Sequence, residues 1–178
     1  VDVMAREVEK GAALHEAIAV ANRSILDAAA SGEGRPGMGS TVVAAQLRGS
    51  DYEIAWVGDA RAYLWGDGLR RISRDHSRVQ ELLDAGMISE EEARNHPHRS
   101  VITRVLGGPD GTAADSEQVS GTLKPGQGLL LCSDGLTSEV SDEEIAGVLS
   151  GHLTPASRAA GAGQAAVESL VSLALDHG

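Results

Sequence analysis

Apolar positions along this chain change from a helical to a strand-like spacing and back again. Near the N-terminus, Leu14, Ile18, Ala21 and Ile25 recur at the spacing that places them on one face of a helix. The same spacing predicts two further helices downstream, the second of them close to the C-terminus. Their apolar stripes are Val79, Leu82 and Leu83, and Val167, Leu170, Val171, Ala174 and Leu175.

Short apolar runs between these helices have the length and composition of β-strands. The runs are Thr41–Leu47, Tyr52–Val57, Ala60–Trp65, Leu69–Ile72, Ser116–Leu123 and Gly128–Cys132. Short turns at 49–51 and 66–68 predict that the first four runs pair as two antiparallel hairpins. The segment Val101–Leu106 fits a strand and a helix equally well.

Two capping boxes mark the starts of further helices. Ser89 with Glu92, and Ser141 with Glu144, have the spacing in which each side chain bonds the other residue's backbone N–H. The resulting order is helix, strands, helices, strands, helices, and it does not alternate as βαβ units. We therefore expect an α+β domain in which antiparallel sheets are covered by helices.

Composition narrows the class of protein. The 178 residues suit one domain, and an apolar share of 42% suffices for a core, which is aliphatic because the chain has no Phe. A net charge of −11 disfavours nucleic acid and anionic membrane surfaces as partners. No apolar run approaches the roughly 20 residues that span a bilayer. The single cysteine, Cys132, cannot form an internal disulfide. A cytoplasmic protein is the expectation.

Two of the apolar runs lead into an aspartate. Asp59 follows the run that ends at Val57, and Asp134 follows the run Gly128–Cys132. A rigid strand that delivers a carboxylate to its exposed end can position a metal ligand. Aspartate is also common in turns, because its side chain bonds nearby backbone N–H groups. Spacing alone leaves both interpretations open.

Other motifs fit structural roles better than chemical ones. The Gly-x-Gly-x-x-Gly pattern at 32–37 follows a helix and precedes a strand, the reverse of a dinucleotide-binding loop, so we expect a flexible connector. Cys132 lacks the arginine that a cysteine phosphatase needs at position 138, and Asp134 lacks the second aspartate of a haloacid dehalogenase at position 136. His96 and His98 flank Pro97, and this arrangement predicts a surface loop instead of a metal site.

Several segments taken together resemble a known family. They are GMGST (37–41), VGDARAYL (57–64), ISRDHS (72–77), HPHRSVITRVLG (96–107), LLLCSDGL (129–136) and the helix start DEEI (142–145). Their order and approximate spacing resemble those of the bacterial metal-dependent protein phosphatases, the type 2C or PPM Ser/Thr phosphatases. The resemblance covers nearly the whole chain.

The resemblance implies a fold and a chemistry. The fold would be a layered αββα sandwich of two antiparallel sheets, and the reaction would be hydrolysis of phosphoserine and phosphothreonine by a water that two or three Mg²⁺ or Mn²⁺ ions activate. By position, Asp134 matches a ligand of the binuclear centre and Asp59 a ligand of a third, looser metal. Asp75 and His76 match a pair that braces the strand end, and 77–99 matches a flap-like insertion beside the active site.

The family's Asp-Gly-x-Gly-Gly and Gly-Gly-x-Asp-Asn motifs, which carry further metal ligands, do not occur in residues 1–178. The resemblance therefore implies a single, partial catalytic domain without its outer strands. The parent protein would be a phosphatase of Ser/Thr-phosphorylated proteins, with a cognate Ser/Thr kinase as a candidate partner. Two alternatives stay open: a non-catalytic domain that binds a phosphoprotein or kinase, and an assembly that completes the sheets between chains.

One expectation concerns residues 1–178 by themselves. We expect them to hydrolyse a phosphothreonine peptide very slowly or not at all, since one or two carboxylates cannot hold a two-metal site. The measurement compares hydrolysis with Mn²⁺ and with a chelator, in a sample shown by circular dichroism to be folded. Rapid turnover that requires Mn²⁺ would contradict this expectation.

Overall fold

Two three-stranded antiparallel sheets form the centre of the computed structural model, which describes residues 1–108, 115–153 and 161–178. The strands in these ranges are β1 (Val42–Arg48), β2 (Asp51–Val57), β3 (Arg61–Gly66), β4 (Gly68–Arg71), β5 (Glu117–Thr122) and β6 (Gly128–Cys132). The helices are α1 (Asp2–Glu9), α2 (Leu14–Ser31), α3 (Arg78–Asp84), α4 (Glu90–Arg94), α5 (Asp134–Thr137), α6 (Asp142–His152) and α7 (Ala162–His177).

The strand order is β1-β2-β5 in the first sheet and β4-β3-β6 in the second. The pairs β1–β2 and β3–β4 are antiparallel hairpins, as predicted. The chain passes from the first sheet to the second at 58–60, returns between β4 and β5, and crosses to the second sheet again between β5 and β6. The later crossing contains a turn in which the Gln127 N–H donates to the Lys124 carbonyl over 2.9 Å.

Alternation along β2 separates two apolar cores, because successive side chains of a strand point to opposite faces. Ala55 and Val57 pack with Ile18 of α2 in a core that lies between the first sheet and α1 and α2. Ile54 and Trp56 belong to a second core, which also contains side chains of β3 and β6. One strand therefore contributes to both sides of its sheet.

A third core fills the space between the second sheet and the helices α6 and α7. Ile145 of α6 and Leu170 of α7 are buried there, against Trp65 of β3 and Leu130 of β6. The layers are thus helix, sheet, sheet, helix. The expected α+β class with an αββα arrangement is confirmed.

Local signals place the helix starts correctly. In both capping boxes, Ser89 and Ser141 accept a bond from the backbone N–H three residues on, and the glutamate there bonds back. The helices that follow are α4 and α6. Within the described ranges, no helix combines the length and the apolar character that crossing a membrane requires.

The segment 101–106, which the pattern left between strand and helix, forms neither. Isolated bridges join Ile102 to Ser77 and Leu106 to Ser40. Ser77 is the residue before α3, and Ser40 lies just before β1. The segment therefore connects these two parts of the fold and does not extend a sheet.

The apolar stripe of α7 is wider than its buried face. Leu170 is 2% exposed, whereas Val167, Val171 and Leu175 are 47%, 53% and 75% exposed. The predicted helix is present, but only part of its apolar stripe is buried. Helical spacing identifies the stripe, but the neighbours in space decide which edge of it is covered.

A matched pair of substitutions on α7 tests this orientation. Leu170→Ala should lower the free energy of unfolding by about 2–5 kcal/mol, because it leaves a cavity in the core between α6 and α7. Leu175→Ala, on the same helix, should change it by less than about 0.5 kcal/mol. Urea unfolding followed by circular dichroism measures both values. Equal effects at the two positions would mean that α7 packs through a different face.

Candidate active site

The register between β3 and β6 brings Asp59 and Asp134 to the same end of the second sheet. Arg61 of β3 lies opposite Cys132 of β6. Asp59 lies two residues before Arg61 and Asp134 lies two residues after Cys132, so in an antiparallel pair both fall at the same level. Burial raises the pKa of Asp59, and the nearby charges of Asp134 and Asp75 raise it further.

A glycine makes the turn that carries Asp59 possible. Gly58 has a φ of 103°, a conformation that favours glycine, and a side chain at this position would collide with that of Thr41. Its N–H donates to Nδ1 of His76 over 3.0 Å, and its carbonyl accepts from the His76 N–H over 2.9 Å. His76 therefore holds the turn between the two sheets through both the N–H and the carbonyl of Gly58.

Asp134 begins the short helix α5 directly after β6, with Ser133 as the N-cap residue. Its carbonyl accepts from the Ser138 N–H over 2.8 Å, which fixes the backbone of this turn. The residue is exposed, so its carboxylate faces the solvent side of the sheet end. Asp59, in contrast, is half-buried.

A third carboxylate in this region, that of Asp75, is already paired. Arg61 Nε lies 3.1 and 3.0 Å from the two Asp75 oxygens, and Arg61 Nη2 lies 2.7 Å from Oδ2. Arg71 Nη1 lies 3.7 Å from the same oxygen. Burial acts against the charge of Arg61, but the bonds to Asp75 outweigh it and raise the pKa of Arg61. Because both of its oxygens bond Arg61, Asp75 is less available than Asp59 and Asp134 to bind a cation.

The same arginine connects to the start of α6 through Tyr63. Arg61 Nη1 lies 3.5 Å from the Tyr63 hydroxyl, and this hydroxyl donates to Asp142 Oδ1 over 2.9 Å. Burial raises the pKa of Tyr63, which keeps the hydroxyl protonated as a donor. The network joins β3, the segment before α3 and the N-terminus of α6.

A cleft of about 670 Å³ opens beside Asp59 and Asp134. Its lining includes residues of α3 and α4 and residues of the segment from α5 to the first turn of α6. Asp59, Asp75 and Asp134 line it together with Arg71, Arg94 and Arg99. The cleft therefore combines free carboxylates with guanidinium groups, a composition that suits a phosphorylated ligand and a cation.

The donors in this cleft fit part of a site for a hard divalent cation. Carboxylate oxygens are the ligands that Mg²⁺ prefers. A cation would relieve the repulsion from Asp134 and Asp75, which adds to the effect of burial on the pKa of Asp59. Among the described residues, no group of three or more His, Cys, Asp or Glu side chains could hold a metal ion. Asp59 and Asp134 are thus candidates for a partial ligand set.

Comparison with known proteins identifies the family. A crystal structure of the Mycobacterium tuberculosis serine/threonine phosphatase PstP/Ppp matches 100% of this chain and 68% of its own, at 33% identity and a TM-score of 0.80. The serine/threonine phosphatase stp of Listeria innocua is 40% identical over 147 residues, 82% of this chain. The chain belongs to the bacterial PPM-type Ser/Thr phosphatases.

This PPM chain spans 58% of the length of the Listeria relative. A crystal structure of the catalytic domain of PstP in complex with 2 manganese ions has 31% identity and a TM-score of 0.77, over 93% of this chain and 64% of that one. No family model matches the chain.

The remaining candidate residues have structural roles in this PPM chain. Cys132 lies on β6, half-buried, and burial raises its pKa to about 11, so it is a poor nucleophile. The glycines at 32–37 connect α2 to β1, as expected. His96 and His98 lie in the loop after α4, and their rings are 5.5 Å apart. His96 Nδ1 accepts the His98 N–H over 3.1 Å.

Sequence reasoning did not assign roles to Arg61, Tyr63 and Asp142. The first two lie within the motif 57–64 that carries the family resemblance, and their alternate positions after Asp59 place them on the same face of β3. That periodicity could have suggested a shared polar network. The partner residues Asp75 and Asp142 could not have been found this way, because they lie on other elements.

Two glycines with nearly equal φ angles test the turn that carries Asp59. Gly58→Ala should destabilise the fold by about 1–3 kcal/mol more than Gly68→Ala, because only the first adds a collision, with Thr41. At Gly68, with a φ of 105°, an added methyl group meets nothing within 4 Å, so this variant reports the backbone strain alone. Thermal unfolding measures both. Equal losses of stability would show that Thr41 does not restrain this turn.

Proposed function

We propose that the protein that carries this chain is a metal-dependent protein Ser/Thr phosphatase that hydrolyses phosphoserine and phosphothreonine. Residues 1–178 would contribute one partial catalytic domain, with 77–99 as a flap-like insertion beside the cleft. The observation that carries the proposal is the meeting of Asp59 and Asp134 at one end of the β3–β6 pair, in a chain of this family.

Asp59 and Asp134 would hold part of a site for two or three Mg²⁺ or Mn²⁺ ions. Such ions, when bound, lower the pKa of a water molecule and neutralise charge on the phosphoryl oxygens. The complex of the PstP catalytic domain with 2 manganese ions supports this assignment. Burial is the main cause of the raised pKa of Asp59, and the charges of Asp134 and Asp75 add to it; this repulsion, which a cation would relieve, supports the assignment as well.

The other charged residues of the cleft would orient these carboxylates and the substrate. Arg61 holds Asp75 in a buried ion pair, which leaves Asp59 and Asp134 as the free acidic groups at the sheet end. Arg94 and Arg99, which line the cleft on the flap side and are exposed, would contact a phosphorylated protein. The substrates would be Ser/Thr-phosphorylated proteins, with a cognate kinase as one candidate.

A second function uses the same cleft without hydrolysis. A domain of this family that lacks a complete ligand set could bind a phosphorylated protein or kinase through the arginines alone. The partial ligand set of the described residues is the observation that favours it. The two functions differ in whether phosphate is released.

An asparagine substitution distinguishes the two functions in the full-length natural protein. Asp134→Asn should lower kcat/KM for a phosphothreonine peptide by more than the roughly 10- to 100-fold that altering a partner of a metal ligand costs. Phosphate release with Mn²⁺ and with a chelator is the measurement. Asp67→Asn, in the exposed turn at the opposite end of β3, is the matched control and should leave the rate unchanged.

Two outcomes contradict the enzymatic proposal. One is a wild-type protein that binds phosphothreonine peptides but releases no phosphate, which favours the binding function. The other is an Asp134→Asn variant with the rate of the wild type, which removes this carboxylate from the site.

A further inference from the structure

His76 lies directly behind the turn that carries Asp59, in a fixed orientation. Its side chain is 4% exposed and stacks on Trp56 with 6.4 Å between the ring centroids. Its backbone carbonyl accepts from the Thr103 N–H over 2.8 Å, while its own N–H bonds the Gly58 carbonyl. With main chain and ring both held, each ring nitrogen has a defined partner.

The partner of Nδ1 determines where the proton of the imidazole lies. The backbone N–H of Gly58 is 3.0 Å from Nδ1, and an amide N–H can only donate. Nδ1 must therefore be unprotonated to accept this bond. A neutral imidazole then carries its proton on Nε2.

Of the two groups near Nε2, the Glu117 carboxylate agrees with this assignment. Nε2 of His76 lies 3.3 Å from Glu117 Oε1 and 3.3 Å from Arg104 Nη1. Arg104 could donate only to an unprotonated Nε2, whereas the Glu117 carboxylate accepts from a protonated one. The bond from the Gly58 N–H to Nδ1 decides between them, so the Nε2–H donates to Glu117. Arg104 Nη1 donates to the same carboxylate oxygen over 3.3 Å, and Glu117 is thereby held as the acceptor.

We propose that His76 is a positioning residue for the Asp59 carboxylate, acting as the Nε2–H tautomer that Glu117 orients. Its Nδ1 holds the Gly58 peptide, and this peptide sets the direction in which the chain presents Asp59. Gly58 has no side chain and wide backbone freedom, so an external restraint has more effect here than at another residue. The consequence for metal binding rests on the proposed function, whereas the tautomer does not.

The tautomer can be read directly by NMR. In the full-length natural protein, labelled with ¹⁵N, metal-free and near neutral pH, a long-range ¹H–¹⁵N correlation separates protonated from unprotonated imidazole nitrogens. His76 should show an unprotonated Nδ1 and a protonated Nε2. The exposed His15 of α2 serves as the internal reference for an imidazole that solvent surrounds. A protonated Nδ1 on His76 overturns the proposal.

Two amide substitutions test the positioning role. In His76→Asn the amide oxygen can take the place of Nδ1 and accept the Gly58 N–H, whereas the longer side chain of His76→Gln places its amide near the position of Nε2. His76→Gln should weaken Mn²⁺ affinity by about 10- to 100-fold, and His76→Asn by clearly less. A Mn²⁺ titration followed by electron paramagnetic resonance measures both, with His15→Asn as the unchanged control. Equal affinities in the Asn and Gln variants overturn the positioning role.

Failure of this proposal and failure of the proposed function give different results. A wild type with the Nε2–H tautomer, and with Mn²⁺ affinity that depends on His76 as described, supports the positioning role even if no phosphate is released. In that case the enzymatic function fails. A protonated Nδ1, or equal affinity in both amide variants, rejects the positioning role even if phosphatase activity is present.

Discussion

The antiparallel pairing of β3 with β6 is the interaction on which the site depends. Its register sets Arg61 opposite Cys132 and so brings Asp59 and Asp134 to one end of the sheet. A shift by one residue would turn the side chains of β6 to the opposite face and take Leu130 out of the core below α6 and α7. The apolar cores and the candidate metal ligands therefore depend on the same register, and packing energy holds the site geometry.

Charge in the cleft is organised by one buried ion pair. Asp59, Asp75 and Asp134 lie close enough for the last two to raise the pKa of the first, so an unpaired Asp75 would add to the repulsion. Arg61 bonds both oxygens of Asp75, and this bidentate pair lies mostly away from solvent. A buried pair contributes little net stability, but breaking it would leave an uncompensated charge beside the site. Its main effect is to remove the charge of Asp75 from the candidate metal ligands Asp59 and Asp134.

The crossing between the two sheets at 58–60 explains why so many polar contacts converge there. A chain that leaves one sheet and enters another exposes backbone groups that no ladder satisfies. His76 satisfies both peptide groups of Gly58, and Trp56 donates its indole N–H to the Arg74 carbonyl over 2.8 Å. The segment before α3 thus completes the hydrogen bonding of the crossing and holds the turn that carries Asp59.

Local patterns in the sequence determined the elements, and the tertiary structure decided how they meet. Gly128–Cys132 as a strand and Ser141 as a helix cap follow from neighbouring residues, so periodicity and capping predicted them. The family motifs pointed to Asp59 and Asp134, although spacing alone left each as a possible turn former. The sheet that each strand joins, the exposed edge of α7, and the bonds from His76 to Gly58 and from Arg61 to Asp75 could not be obtained this way. These features depend on register and on contacts between residues far apart in the chain, which become neighbours only when the sheets pack.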